Sequence, residues 1–353
     1  MNKANNHENS VLKIGTPHNK NSMKFSLFKI VIAGAFISST LSAQTSVIET
    51  IKRNPKAPFS YTELSIKKGG KWEGNQYVGG TFQNVQELTL PDSHTDHSSY
   101  IRYEGIGLEN NQIGYRLYLD WRNATDIFGK KVTALVLPEV GQDGFESYHH
   151  DAPWGQDILK SGRSIGIGSY GRYDEQNDYV ETFKIVKNTT AKVVNEKDQS
   201  YAVIDYKGWK TWGDAIDLQS KLTIFPKDRF VKVDLNLSNT LSGLCTGIVA
   251  VKDIPVKQGI SKNKKWGYIA TYGQQTLAQK EDNLGMAVFY PLENFDKYAK
   301  TKSTHTIVFK KTKNVSYYFL GAWSQEPNGL TTEESFYQDL DKKLDILDKN
   351  NQL

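Results

Sequence analysis

The stretch Glu146–Leu159, ESYHHDAPWGQDIL, sets His149 beside His150, with Tyr148, Asp151 and Trp154 within a few positions. An unperturbed imidazole titrates near neutral pH, so either ring could accept a proton and return it. The phenol adds a second acid or base, the carboxylate can orient an imidazole, and the indole offers a flat surface to a sugar ring. A histidine pair in a polar loop is more often exposed and idle than catalytic, so its neighbours carry the argument. Read as extended chain, the pair points its two rings to opposite sides, and at most one can face a site.

A second group lies in Gln112–Arg122, QIGYRLYLDWR. Its alternation predicts a strand with Ile113, Tyr115, Leu117, Leu119 and Trp121 on one face and Arg116, Tyr118, Asp120 and Arg122 on the other. A solvated outer face with cross-strand ion pairs accounts for the polar side. Two arginines with a tyrosine, in place of Lys, Thr and Ser, fit bidentate recognition of a sugar carboxylate or sulfate better.

Other motifs carry less. Gly166, Gly168 and Gly171 have the spacing of a dinucleotide fingerprint, but no helical stripe follows in RYDEQNDYVE. They read as a glycine-rich loop where backbone approaches a ligand, carrying Tyr170, Arg172 and Tyr173. His94, Asp96 and His97 in DSHTDHSSY could hold Zn²⁺ or Ca²⁺, but with no distant third ligand identified they read better as a solvated turn. No G-x-S-x-G, P-loop or H-E-x-x-H occurs, which argues against esterase, NTPase and zincin chemistry. The single cysteine, Cys245, provides no disulfide framework and reads as a buried strand thiol.

Period-2 patterning positions these groups. Asp228–Asn239, DRFVKVDLNLSN, alternates Val231, Val233, Leu235 and Leu237 with Lys232, Asp234 and Asn236, and some dozen such segments are separated by Gly, Asn, Asp and Pro clusters. The clear helix is C-terminal: Thr331 as N-cap, Glu334 completing a capping box, then Phe336, Leu340 and Leu344 as a stripe for docking on a sheet. Without βαβ alternation, the expectation is a mainly all-β, large antiparallel sandwich in one domain, residues 44–353. Aromatic residues make up 12% of the 353, enough to fill a core.

The first 43 residues are expected to be a leader and secretory signal: Lys24 opens it, Ile30–Ile37 is apolar, and small residues precede cleavage after Ala43. The apolar run is too short to span a membrane comfortably, so a periplasmic protein without a membrane anchor is expected. This leader holds 5 of the 44 basic and 1 of the 39 acidic residues, leaving 39 and 38, so the formal charge falls from +5 to +1. A near-neutral mature chain has no electrostatic footprint for nucleic acid.

Three stretches, YEGIGLENNQIGYRLYLDWRNATDIFGKK, HHDAPWGQDILKSGRSIGIG and GAWSQEP, resemble an initially uncharacterised domain family of Bacteroidota polysaccharide-utilisation loci. Within that family they are most similar to the ulvan-oligosaccharide dehydratases of marine flavobacteria. The resemblance covers nearly the whole mature chain. It implies a galactose-mutarotase-like β-supersandwich and an acidic oligosaccharide substrate. The implied reaction removes water from a non-reducing-end uronate to leave a 4,5-unsaturated uronyl end.

Such an elimination needs a base for the C5 proton, a cation facing the carboxylate and an acid for the departing 4-hydroxyl. Arg116 or Arg122 fits the cation and His149 or His150 the base. Tyr148, Tyr170 or Tyr173 fits the acid, or the base if an arginine favours phenolate. Asn110 and Glu109 could bind hydroxyls beside Tyr118 and Asp120, and Trp154 and Trp323 could stack on pyranose rings. No cofactor is needed, although a divalent cation could replace the arginine. A chain-cleaving polysaccharide lyase and a non-catalytic carbohydrate-binding sandwich remain the rival readings.

Overall fold

The period-2 segments pair into antiparallel sheets in a computed structural model that describes residues 45–54, 57–279 and 281–353. The expected signal segment and its cleavage after Ala43 lie outside the described residues. A six-stranded sheet runs in the order Thr81–Val85, Ser60–Lys68, Ile101–Asn110, Ile113–Tyr118, Thr125–Lys130, Gly155–Asp157. A nine-stranded sheet has Thr312–Trp323, Val231–Leu241 and Asp214–Ile224 at its centre, and a five-stranded sheet is built around Ile167–Asp174, Leu244–Val249 and Thr304–Phe309. Lys71–Glu73 and Gln76–Val78 form a separate hairpin. The fold is the expected all-β sandwich.

One core joins the three large sheets. Leu108, Tyr115 and Leu117 of the first, Leu222, Val233 and Phe319 of the second, and Ile167, Ile248 and Ile307 of the third belong to a single buried cluster. The other face of the nine-stranded sheet takes the C-terminal helix Glu333–Asn350, where Phe336, Leu340, Leu344 and Leu347 pack with Tyr268, Phe289 and Leu320. The apolar stripe docks as expected. The N-cap is one residue later than expected: Thr332 accepts from the Ser335 amide, and Ser335 in place of Glu334 completes the capping box.

The second face of the six-stranded sheet positions the site. Residues 131–154 fold across it with a short helix, residues 45–53, which the sequence reading did not anticipate. Ile51, Phe59, Tyr61, Tyr103, Phe128, Leu137, Val140 and Tyr148 make this separate layer. The strand Ile113–Tyr118 alternates as expected, but both of its faces are buried, so the polar side is not a solvated surface. Buried charges tie the covering segment down. Glu109 accepts from the Val136 and Leu137 amides at 2.9 and 2.8 Å, while Arg102 donates to the Pro138 carbonyl at 2.8 Å.

The glycine run departs from expectation. Ile167–Asp174 is a strand of the five-stranded sheet and no ligand-binding loop. Gly166 and Gly168 have φ of 69° and 65°, and a Cβ at Gly168 would run into the Phe319 ring. These glycines allow close packing inside the core. Cys245 is a buried strand thiol, as expected.

Candidate functional site

Arg116 leaves its strand toward the covering segment and organises everything around it. It is buried, and its Nη2 donates to Asp126 and to Asp157 at 2.7 Å each and to the Tyr118 hydroxyl at 2.8 Å. Its Nη1 donates to the Tyr148 hydroxyl at 3.1 Å. These contacts and the neighbouring carboxylates hold the guanidinium charged despite burial. Burial, with the Asp157 charge beside it, pushes the Asp126 carboxyl up to about 7 against the pull of Arg116. Burial likewise pushes the Tyr148 hydroxyl up to about 12 although Arg116 favours its ionisation. Tyr148 is therefore a proton donor at neutral pH.

The turn Ser147–His149 brings the histidine in. His149 Nδ1 lies 3.4 Å from Asp157 Oδ2, its ring rests 4.5 Å from that of Tyr148, and its side chain is 45% exposed. A buried carboxylate thus faces one ring nitrogen, while much of the imidazole remains open to solvent. Asp151, the orienter expected from sequence, instead pairs with Lys131. The stretch is a helical turn rather than extended chain. Only His149 reaches the cluster; His150 is exposed, and its backbone amide bonds to Ser147.

Arg122 caps the cluster from above. The strand ends at Tyr118, so Arg122 sits on a following turn and not on the expected strand face. Its guanidinium lies 4.1 Å from the centre of the Tyr118 ring, and that of Arg116 lies 4.6 Å from the same centre. Asp120 binds its Nε and Nη2, and Glu104 accepts from Nη2 at 2.8 Å. The side chain stays 17% exposed, and Nη1 has no acceptor among the described residues. Burial opposes the Glu104 charge, yet Arg122 and the His97 amide outweigh it and hold the carboxyl below its ordinary range. Tyr103 and Glu104 take φ of 39° and 63° inside a strand, a strained pair found where the chain re-aims a side chain. The exposed ring of His97, 3.8 Å from Glu104 and edge-on to Phe145, forms the far side.

A family model described as a domain of unknown function, DUF4861, matches residues 35–352. The chain belongs to the DUF4861 family. No curated protein matches it.

In this DUF4861 domain the cluster thus unites Arg116, Tyr118, Tyr148, His149 and, through Arg122, Asp120. Trp154 is half-buried nearby, edge-on to Phe128 at 6.1 Å. Five candidates lie elsewhere. Tyr170 is in the core against Ser220, and Trp323 is in the core with its indole nitrogen on Asp282. Asn110 shapes a turn by accepting from the Ile113 amide and donating to Phe225, and its neighbour Glu109 pairs with Lys130. Tyr173 lines a different cavity. His94 is internal, with Nε2 donating to the Leu119 carbonyl and Ser98 donating to Nδ1, both at 2.8 Å, so DSHTDHSSY is not simply a solvated turn. Among the described residues, no three His, Cys, Asp or Glu side chains gather as a metal site. Sequence reasoning missed Asp126, Asp157 and Glu104, and it assigned His97 to a solvated turn. The available signal was a carboxylate among strand residues that must be buried, as in TDIFGK.

Proposed function

We propose that this exported protein is a dehydratase acting on the non-reducing-end uronate of ulvan-type acidic oligosaccharides. The observation that carries the reading is one buried arginine–carboxylate network holding a phenol and an imidazole side by side. Arg116 binds Tyr148 at 3.1 Å and Asp157 at 2.7 Å, and Asp157 lies 3.4 Å from His149. His149, with Asp157 behind it, takes the C5 proton. The C5–H electrons become the C4–C5 double bond as the C4–O4 bond breaks, and Tyr148 supplies the proton that lets the 4-hydroxyl leave as water. Arg116 then stabilises the phenolate until the proton returns from His149 through solvent.

The carboxylate of the substrate falls to Arg122 rather than Arg116. Each arginine is matched by two carboxylates, but Arg116 is buried, whereas Arg122 is partly exposed and keeps an open nitrogen beside the Tyr118 ring. Uronate-ended oligomers incubated with the protein and weighed by mass spectrometry should lose one water with no shortening. Shorter fragments would make the protein a chain-cleaving lyase, and unchanged mass would leave a binding sandwich.

A further inference from the structure

A cavity of about 660 Å³ lies between the turn after Ile167–Asp174 and the hairpin tip at Trp212. We propose that it binds an uncharged pyranose unit of a glycan chain, separately from the His149 cluster and whether or not the elimination reading holds.

Trp212 carries the argument. Strands Ser200–Thr211 and Asp214–Ile224 are joined by only two residues, Trp212 and Gly213, with φ of 47° and 85°. Two positive values are the signature of a turn that favours Asn-Gly. A tryptophan at its first position is strained, and strain of this kind gathers at functional sites. Its ring is also 46% exposed, so core packing does not require it.

The ring is nevertheless held. The Arg172 guanidinium lies 4.3 Å from the indole centre, with Nη1 donating to the Thr211 carbonyl at 2.9 Å and to Asp214 at 2.7 Å. Its Nε donates to the Ser242 carbonyl at 3.0 Å, which fastens the hairpin to the next turn. Tyr173 brings a second ring to the same cavity, with Lys297 5.5 Å from its centre. Two aromatic rings, that of Trp212 held by Arg172, beside the amides of Gln176 and Asn177 suit the C–H face and hydroxyls of a pyranose. The lining carboxylates of Asp174, Glu175 and Asp296 outnumber the cation of Lys297, which selects against uronate and sulfate groups.

The test is affinity electrophoresis of the full chain through gels containing a neutral xylan, a neutral β-glucan or a sulfated uronate polymer. At least one neutral glycan should retard the wild type. Trp212→Asn gives the turn its preferred residue, so it should fold with an unchanged or higher melting temperature and bind at least tenfold more weakly. Tyr173→Ala, on another element, should weaken binding too, and both variants should keep wild-type turnover on uronate-ended oligomers. Retardation by the charged polymer alone, by none of the three, or equally in the wild type and Trp212→Asn overturns the proposal.

Discussion

The C-terminal helix and the 131–154 segment both seal one face of a sheet, but they do so with different materials. The helix covers the nine-stranded sheet with Phe336, Leu340, Leu344 and Leu347 over other apolar side chains. The 131–154 segment covers the six-stranded sheet across Arg102, Glu109, Arg116, Asp126 and Lys130, all buried. An apolar seal gains from every methylene it hides. Burying an ion pair costs desolvation that mutual attraction only partly returns, and a hydrophobic replacement is often at least as stable. The contrast separates a cover that favours stability alone from a charged layer that ends at His149, the residue to which the proposed function assigns the base.

Five substitutions sharpen that contrast. Arg116→Ala should have the largest effect, because it strands Asp126 and Asp157 in the interior. A loss of about 3–5 kcal/mol in urea denaturation is expected, together with loss of turnover. Phe336→Ala should cost a similar 3–5 kcal/mol or so by opening a cavity under the helix, yet leave turnover per folded molecule intact. Should the helix variant slow the reaction as well, the two covers are not functionally distinct.

His149→Ala comes next. It should lower kcat by about 10²–10⁴, the scale for a general base, with little change in melting temperature because the ring is half exposed. His150→Ala should match the wild type in both respects. Ultraviolet absorbance of the unsaturated uronyl product reads the rate, and equal rates for the two variants would remove His149 from the mechanism.

The smallest effect is a slope. Asp126 has an ordinary value of 3.8 and is pushed up to about 7 by burial and by Asp157, so the folded state keeps a proton that the unfolded chain releases between those values. The contribution of this group to stability then falls as pH rises from about 4 to about 7 and levels off above. Glu326, also pushed up to about 7 by burial, contributes in the same direction. Asp126→Asn should flatten part of that fall in chemical denaturation followed across this range, and an undiminished slope would refute the assignment.

The two covers also differ in how readable they are. Phe336, Leu340 and Leu344 stand four apart, and that spacing alone implies a helix docked on a sheet. The strand at Ile113–Tyr118 was equally plain from its alternation. Local pattern cannot say whether a polar face meets water or another layer, because that depends on the 131–154 segment folding back across it. The inner role of Arg116 and the part played by Asp157, forty-one positions away, were hidden for this reason. Aromatic residues misled for a related one. Trp323 and Tyr170 have the ring chemistry to bind sugar, but ring chemistry fills cores equally well, and both were placed by the neighbouring sheet.

The pins on the covering segment are unevenly spaced. Val136, Leu137 and Pro138 are fastened to sheet side chains, Tyr148 is fastened to Arg116, and between them the chain meets the far side of the site through Phe145 against His97. Residues inserted or exchanged between Gly141 and Ser147 would therefore reshape the roof over the cluster without unseating the groups beneath it. On the proposed reading, such a span lets a lineage retune which oligosaccharides fit while inheriting the groups beneath unchanged.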